Sequence, residues 1–329
     1  MKTKDYQFKS CFSPYIEALI HQKRLEGFLY NTEEYQLKHF DAFCINQNYL
    51  QPVITRELIT AWGDSRNNVD KTYISHRISA VRQLALYMAS QGMEAYIPTR
   101  FFKKSHHVAH VLPDDEILEF FGAVDSYRPK LNAKVFMRLS MEYRVLFRLI
   151  YCCGLRISEA RKLNNKDVDL SDGSIRISQA KGRKDRLIYL APDLLDLCIE
   201  YKKLMSSVYR ITSDWFFPAR NPDLILSVCT IDTKFRQFWA KTSFAEKCDR
   251  SPTVHSLRHS FVVKRMNLWM ENGIAFNSMM PYLSRFLGHC SPDDTFYYYH
   301  QIDAALKIVR EKDTFSTRII PEVCTYVEE

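Results

Sequence analysis

Residues 154–160 read Gly-Leu-Arg-Ile-Ser-Glu-Ala, and they follow a stretch from about Leu139 to Cys153 in which apolar residues recur at helical spacing. Gly154 is expected to end that helix, as glycine commonly does. Arg156 comes two residues later, where a cation can pair with carbonyl groups at the helix end. The stretch therefore predicts a helix, a glycine turn and an arginine beyond the turn. An arginine that only pairs with the helix end, without any further role, also explains this pattern.

The pattern changes period between residues 173 and 190. Ile175 and Ile177 alternate with polar residues, and a second apolar run, 187–190, follows the turn-like Lys-Gly-Arg-Lys-Asp of 181–185. Such alternation predicts a β-hairpin with a basic tip. The basic residues of this tip are Lys181, Arg183, Lys184 and Arg186.

Three further stretches carry chemically useful side chains. They are His-Ser-Leu-Arg-His at 255–259, Leu-Gly-His at 287–289 and Thr-Phe-Tyr-Tyr-Tyr-His at 295–300. On a helix, His255 and Arg258 share one face. Each stretch also has an ordinary structural explanation: a helix surface, a histidine at a helix end, and tyrosines in a core.

The first hundred residues are expected to be helical throughout. Asn31-Thr32 is a helix-start signal, Thr55 can cap a second helix, and a third helix is expected from about Tyr73 to Gln91, ended by Gly92. These features predict a compact helical bundle.

Residues 97–113 interrupt the helical pattern with prolines, histidines and the basic residues Arg100, Lys103 and Lys104. His106, His110 and Asp114 are spaced by four, as metal ligands on one helix face would be. Pro113 disfavours a continuous helix through them. A basic linker that contacts a phosphate backbone is therefore the favoured interpretation.

Composition narrows the class of protein. The chain has 329 residues, enough for two domains, and Lys plus Arg exceed Asp plus Glu by 8, which favours a polyanionic partner. Apolar runs are far shorter than the ~20 residues that span a membrane, and no apolar segment follows the N-terminal Met-Lys-Thr-Lys-Asp. The nine cysteines are scattered, which predicts free thiols and a cytoplasmic location.

Together and in this order, the five stretches resemble the motif set of the tyrosine recombinases, also called phage integrases. The resemblance implies a mainly α protein: a helical core-binding (SAM-like) domain over 1–104, a basic linker over 105–112, and a mostly α catalytic domain over 113–329. The catalytic domain would contain a small antiparallel β-sheet or hairpin and a C-terminal helix.

The resemblance also assigns residues to roles. It implies DNA cleavage and rejoining through a 3′-phosphotyrosine, with no metal ion or other cofactor. Glu159 would support the first arginine, while Arg183, Lys184, Arg186, Arg100, Lys103 and Lys104 would contact DNA. The implied catalytic residues are Arg156, Lys181, His255, Arg258, His289 and the nucleophile Tyr298.

The implied partner is double-stranded DNA, bound by a homotetramer on two DNA sites. An amphipathic C-terminal helix around Ala304 and Val309 would dock into a neighbouring subunit. Arg258 and His289 lie 31 positions apart, which resembles integrases of mobile elements more than chromosome-dimer-resolving recombinases. Two alternatives remain open: a type IB topoisomerase-like nicking-closing enzyme, and a non-catalytic DNA-binding protein that kept the fold.

Overall fold

The computed structural model describes residues 6–65, 71–99, 110–131, 133–178, 185–248, 251–289 and 293–298. The chain divides into two compact units, Met1–His107 and Val108–Glu329. Most of the structure is helical, with one small sheet in the second unit, which confirms the predicted fold class.

The first unit is built from four helices: α1 (Ser13–Leu25), α2 (Asn31–Asn46), α3 (Arg56–Asp64) and α4 (Lys71–Ser90). The Thr55 hydroxyl accepts a hydrogen bond from the Leu58 amide at 3.1 Å, so the predicted N-cap of α3 is confirmed. Gly92 follows α4 with φ 80°, as a C-terminal glycine should. The core of this unit centres on the apolar faces of these helices and includes Phe12, Phe40, Trp62, Val81 and Leu84.

The second unit has eight α-helices among its described residues. They are α5 (Asp114–Asp125), α6 (Lys134–Cys152), α7 (Ile157–Arg161), α8 (Pro192–Ser207), α9 (Val228–Trp239), α10 (Val254–Glu271), α11 (Phe276–Leu287) and α12 (Asp293–Phe296). Helix α6 lies at the centre and packs against α5, α8 and α10. It starts earlier than the sequence predicts and includes a buried ion pair, Arg138 with Glu142, one turn apart.

The sheet contains three antiparallel strands in the order β1 (Val168–Asp169), β2 (Ser174–Ile177) and β3 (Arg186–Tyr189). The predicted hairpin corresponds to β2 and β3, with Ile177 opposite Arg186 at its described end. The short strand β1 was not expected from the sequence, since two residues are too few to show an alternating pattern.

Several sequence predictions fall outside the described residues. Within the described residues, no helix is long and apolar enough to cross a bilayer. Of the predicted linker, 110–112 is described and packs on the second unit. There His110 pairs with Glu116, and the Leu112 amide donates to Ser260 Oγ at 2.8 Å. The predicted features outside the described residues are Arg100, Lys103, Lys104, His106, His107, Lys181, Arg183, Lys184, His300 and the C-terminal helix.

Candidate active site

Arg156 lies where α6 gives way to α7. Gly154 has φ 58°, a left-handed conformation that turns the chain sharply, and Arg156 then serves as the N-cap residue of α7. Its Nη1 donates to Glu159 Oε1 at 2.8 Å, and its Nη2 donates to the Gly288 carbonyl at 3.1 Å. The guanidinium is thus held between α7 and the turn after α11.

Glu159 joins this arginine to the sheet. Its Oε2 accepts from the Arg156 amide at 2.9 Å, while Arg186 donates to both carboxylate oxygens at 3.0 and 2.8 Å. Burial by itself would raise the pKa of Glu159, but the hydrogen bonds and charges of Arg186 and Arg156 prevail and lower it to about 2. The carboxylate is therefore ionised at neutral pH.

Here the structure differs from the sequence prediction for Arg186. The sequence places this residue among the DNA-contacting cations of the hairpin tip, but its side chain is 5% exposed and its guanidinium is bound to Glu159. A bidentate contact with a buried carboxylate uses both terminal nitrogens. Arg186 is thus an interior residue of the site.

Arg258, on α10, is almost fully buried, with 1% of the residue exposed. It donates to the Gly154 carbonyl at 2.6 Å and to the Leu287 carbonyl at 2.9 Å, and its Nη1 is 4.0 Å from Glu159 Oε2. Burial, and then the charge of Arg156, lowers the pKa of Arg258 to about 10. The side chain remains charged at neutral pH, close to Arg156.

His289 follows the turn at Gly288. Its Nε2 is 2.9 Å from Arg258 Nη2, and its Nδ1 is 2.6 Å from Thr295 Oγ1. Since arginine can only donate, Nε2 must accept and the proton belongs on Nδ1. Burial, followed by the charges of Arg258 and Arg156, lowers the pKa of His289 to about 4, so the ring is neutral.

Tyr298 is a described tyrosine that lies in this cluster. Its ring is parallel to that of His289 at 6.5 Å and lies 5.2 Å from that of His259. Burial raises its pKa above the ordinary value, and the charge and hydrogen bonding of Arg258 oppose that rise. Tyr298 is 3% exposed, whereas its neighbour Tyr297 is 40% exposed.

His255 is the first residue of the stretch 255–259 and lies on the surface of α10. Desolvation of its ring, and then the charges of Arg258 and Arg156, lowers its pKa below the ordinary value. Its ring contacts His259 at 4.5 Å, and His259 in turn contacts Tyr298. Sequence reasoning assigned His259 a structural part and did not anticipate that it contacts both residues.

Five of the six predicted catalytic residues therefore lie in one cluster. They are Arg156, His255, Arg258, His289 and Tyr298, whereas Lys181 is outside the described residues. Five partners were missed: Arg186, which binds Glu159, Thr295, which binds His289, and the backbone carbonyls at 154, 287 and 288. Only Thr295 carried a signal, as part of the Thr-x-x-Tyr stretch.

The cluster has the chemistry of an anion site beside a nucleophile. The guanidiniums of Arg156 and Arg258 lie close together. Guanidiniums bind the oxygens of a phosphate group through charge-assisted hydrogen bonds. A phenol stands next to them. Among the described residues, no group of three or more His, Cys, Asp or Glu side chains is arranged to hold a metal ion.

Comparison with known proteins agrees with this geometry. The family model described as "Phage integrase family" matches residues 111–304. Tyrosine recombinase XerC of Chlorobaculum parvum (strain DSM 263 / NCIMB 8327) is 30% identical over 259 residues, covering 73% of this chain and 72% of the relative. A tyrosine recombinase of Pseudothermotoga lettingae (strain ATCC BAA-301 / DSM 14385 / NBRC 107922 / TMO) is 22% identical, covering 88% and 93% of the two chains.

A solved structure shares the fold across both units. The Tn1549 transposon integrase, in complex with transposon right end DNA, superposes with a TM-score of 0.64 at 14% identity, covering 91% of this chain and 99% of the integrase chain. The region that the family model matches contains the whole cluster described above. The chain belongs to the phage integrase family, the tyrosine recombinases.

Proposed function

We propose that the protein is a site-specific DNA recombinase that transfers a DNA phosphodiester to Tyr298 and back to DNA. The observation that carries this proposal is the convergence of Arg156 and Arg258, with His289, beside Tyr298. Arg156 and Arg258 bind to consecutive parts of the same backbone, the Gly288 and Leu287 carbonyls. A structural helix end would not require two charged guanidiniums beside a buried phenol.

In the proposed reaction, Arg156 and Arg258 bind the nonbridging oxygens of the scissile phosphate, where negative charge increases in the transition state. His289 donates to the same group once Arg258 Nη2 turns from His289 Nε2 to the phosphate and the ring proton moves from Nδ1 to Nε2. The Thr295 hydroxyl can donate or accept, so it accommodates either tautomer.

The Tyr298 hydroxyl attacks phosphorus, forming a bond from Tyr298 to phosphorus as the bond to the 5′-oxygen breaks. The phenolic proton leaves to His255, which is neutral and therefore able to act as a base. His259 contacts the rings of His255 and Tyr298 and holds them in position. Lys181 protonates the departing 5′-oxygen, and the reverse steps rejoin the strand without an external energy source.

The proposal also covers the substrate of the protein, its oligomeric state, its biological role and its location in the cell. Double-stranded DNA is the substrate, and support comes from the similar Tn1549 transposon integrase, whose structure was solved in complex with transposon right end DNA. A homotetramer on two DNA sites, joined by C-terminal helices, would cut and exchange the four strands. The 31-position interval between Arg258 and His289 supports a role in integration or excision of a mobile element, and the proposed location is cytoplasmic.

The test begins with a DNA site selected by the protein from randomised duplexes. A nick near the cleavage point lets a short 5′-hydroxyl fragment diffuse away, which traps the covalent adduct. Wild type should accumulate the adduct on denaturing gels in the presence of EDTA. Tyr298→Phe should lose it, because phenylalanine lacks the oxygen that would bond to phosphorus. Tyr297→Phe is the matched control, since that exposed ring adjoins Tyr298.

Three results would overturn the proposal: an adduct formed by Tyr298→Phe, its loss in Tyr297→Phe alone, or its elimination by EDTA. Strand exchange between two differently labelled duplexes then separates a recombinase from a nicking-closing enzyme, which would only relax supercoiled DNA.

A further inference from the structure

Arg186 occupies a buried position at the start of β3, opposite Ile177 of β2. Its Nη1 is 3.0 Å from Glu159 Oε1 and its Nη2 is 2.8 Å from Glu159 Oε2. Two parallel hydrogen bonds of this kind fix the plane of the carboxylate as well as its position. The sheet therefore determines how the Glu159 carboxylate is oriented.

The same carboxylate holds Arg156 from its other side. Oε1 accepts from Arg156 Nη1 at 2.8 Å, and Oε2 accepts from the Arg156 amide at 2.9 Å. Each oxygen of Glu159 thus connects Arg186 to Arg156. A rotation of the carboxylate would break contacts with both arginines at once.

Arg186 also packs against the second support of Arg156. A β-carbon built on Gly288 would lie 2.8 Å from Arg186 Nη1, so the guanidinium lies directly against the backbone at this glycine. The Gly288 carbonyl accepts from Arg156 Nη2 at 3.1 Å. Arg186 consequently touches both groups that hold the Arg156 guanidinium.

The position of Arg186 in the chain connects this arrangement to the hairpin. Lys181 precedes Arg186 by five residues, in the connection between β2 and β3. In the structure, Arg186 reaches Glu159 from a strand that is paired with β2 and packed against α11. The contact with Glu159 is thus made from the docked hairpin.

We propose that Arg186 is a positioning residue: by clamping Glu159, it makes the orientation of Arg156 depend on the docking of the β2–β3 hairpin. This inference rests on the proposed function, because its consequence is read out in DNA cleavage. It replaces a DNA contact for Arg186 with an interior role, and it links strand β3 to Arg156 through the Glu159 carboxylate.

The test compares Arg186→Met with wild type in two measurements on the full chain. Cleavage is followed as single-turnover adduct formation at saturating protein, and DNA affinity is measured at several salt concentrations. Arg186→Met keeps the apolar stem but cannot hold the carboxylate. Its cleavage rate should fall on the order of 10–100-fold, by analogy with the removal of a residue that orients a metal ligand. The salt slope of DNA binding should stay unchanged.

Arg176→Met is the matched control, because Arg176 is an exposed cation of the same hairpin. Its single-turnover rate should remain within a few-fold of wild type. Arg186→Lys covers the case in which Arg186→Met does not fold. Lysine keeps the charge but cannot form the two-pronged contact, so a smaller decrease, of about tenfold, is expected.

The double variant Glu159→Gln with Arg186→Met tests whether the effect passes through Glu159. If it does, the double variant should cleave no more slowly than the slower single variant, since contacting residues act as a unit. Fully additive losses would contradict the inference.

Two further results would also overturn it. One is a wild-type cleavage rate in a folded Arg186→Met or Arg186→Lys variant. The other is a weaker salt dependence, with a slope lower by about 1, which would mark a lost phosphate contact. Failure of the proposed function would look different, because wild type itself would then form no adduct.

Discussion

The arginines around Glu159 outnumber its single negative charge, and the resulting excess of positive charge would suit an anionic substrate. Three guanidiniums, those of Arg156, Arg186 and Arg258, lie within 4.0 Å of a single carboxylate, and the neighbouring histidines are neutral. Like charges at such distances repel one another, and that repulsion contributes to the lowered pKa of Arg258. A phosphodiester would bring one negative charge to this excess of positive charge. Its binding should therefore be favoured without any further cation.

The pKa of His289 predicts how stability depends on pH. The folded-state pKa of about 4 is below the unfolded value of about 6.5, so the fold favours the neutral ring. This contribution to stability is fully present above pH 6.5 and is lost as the pH falls towards 4. With a discount for partial exposure, the loss should be about 1–2 kcal/mol.

Calorimetric melting at several pH values between 7 and 4.5 checks this. Wild type should lose melting temperature over that interval, and His289→Gln should lose less, because glutamine does not titrate. Equal pH dependence in the two proteins would show that the fold does not lower the pKa of His289.

At the scale of elements, two glycine turns bring Arg156 and Arg258 together. The turn at Gly154 ends α6 and presents its carbonyl to Arg258, and the turn at Gly288 ends α11 and presents its carbonyl to Arg156. Both glycines have positive φ, 58° and 64°. The helices thus contribute their ends, rather than their faces, to binding of the guanidiniums.

Gly154→Ala should be strongly destabilising for two separate reasons. A left-handed alanine costs about 1–2 kcal/mol. The added β-carbon would also lie 2.7 Å from Phe261 Cδ1 and 3.0 Å from Leu287 Cδ2, and such overpacking costs about 1–3 kcal/mol more. Urea denaturation should show the sum of the two effects.

Gly273→Ala is the control for the backbone effect alone. Gly273 follows α10 with φ 67°, and a β-carbon there meets no atom within 4 Å. It should cost only the conformational part. Equal losses in free energy of unfolding for the two variants would mean that the contact with Phe261 is relieved at no cost.

At the scale of the whole molecule, the described residues form separate cores in the two units. Phe40, Trp62 and Leu84 belong to the core of Met1–His107, whereas Phe120, Phe147 and Phe238 belong to the main core of Val108–Glu329. A smaller cluster around Val262, Leu287 and Tyr298 lies in the second unit as well. Every described residue of the candidate active site is in that unit.

The two units should therefore fold when expressed separately as residues 1–107 and 108–329. A unit with its own core is expected to unfold cooperatively. Circular dichroism during thermal denaturation checks this for each piece. A non-cooperative transition in either piece would show that its core depends on the other unit.

Local patterns in the sequence predicted the helical character of both units, several helix ends and the residue types of the candidate site. Helical spacing and capping act over three or four residues, so Thr55 and Gly92 could be placed correctly without a structure. The order of the motif stretches also follows directly from the sequence. Strand β1 was not, because two residues carry no period.

Only the tertiary structure decided how those residues meet. Arg186 bonds to a residue 27 positions away, Arg258 to a carbonyl 104 positions away, and Arg156 to one 132 positions away. No local rule distinguishes a basic residue at an exposed hairpin tip from one turned into the interior. Which partner a side chain finds depends on the packing of α7, α10, α11 and the sheet around it, because hydrogen bonds over such separations form only once the core has brought distant segments together.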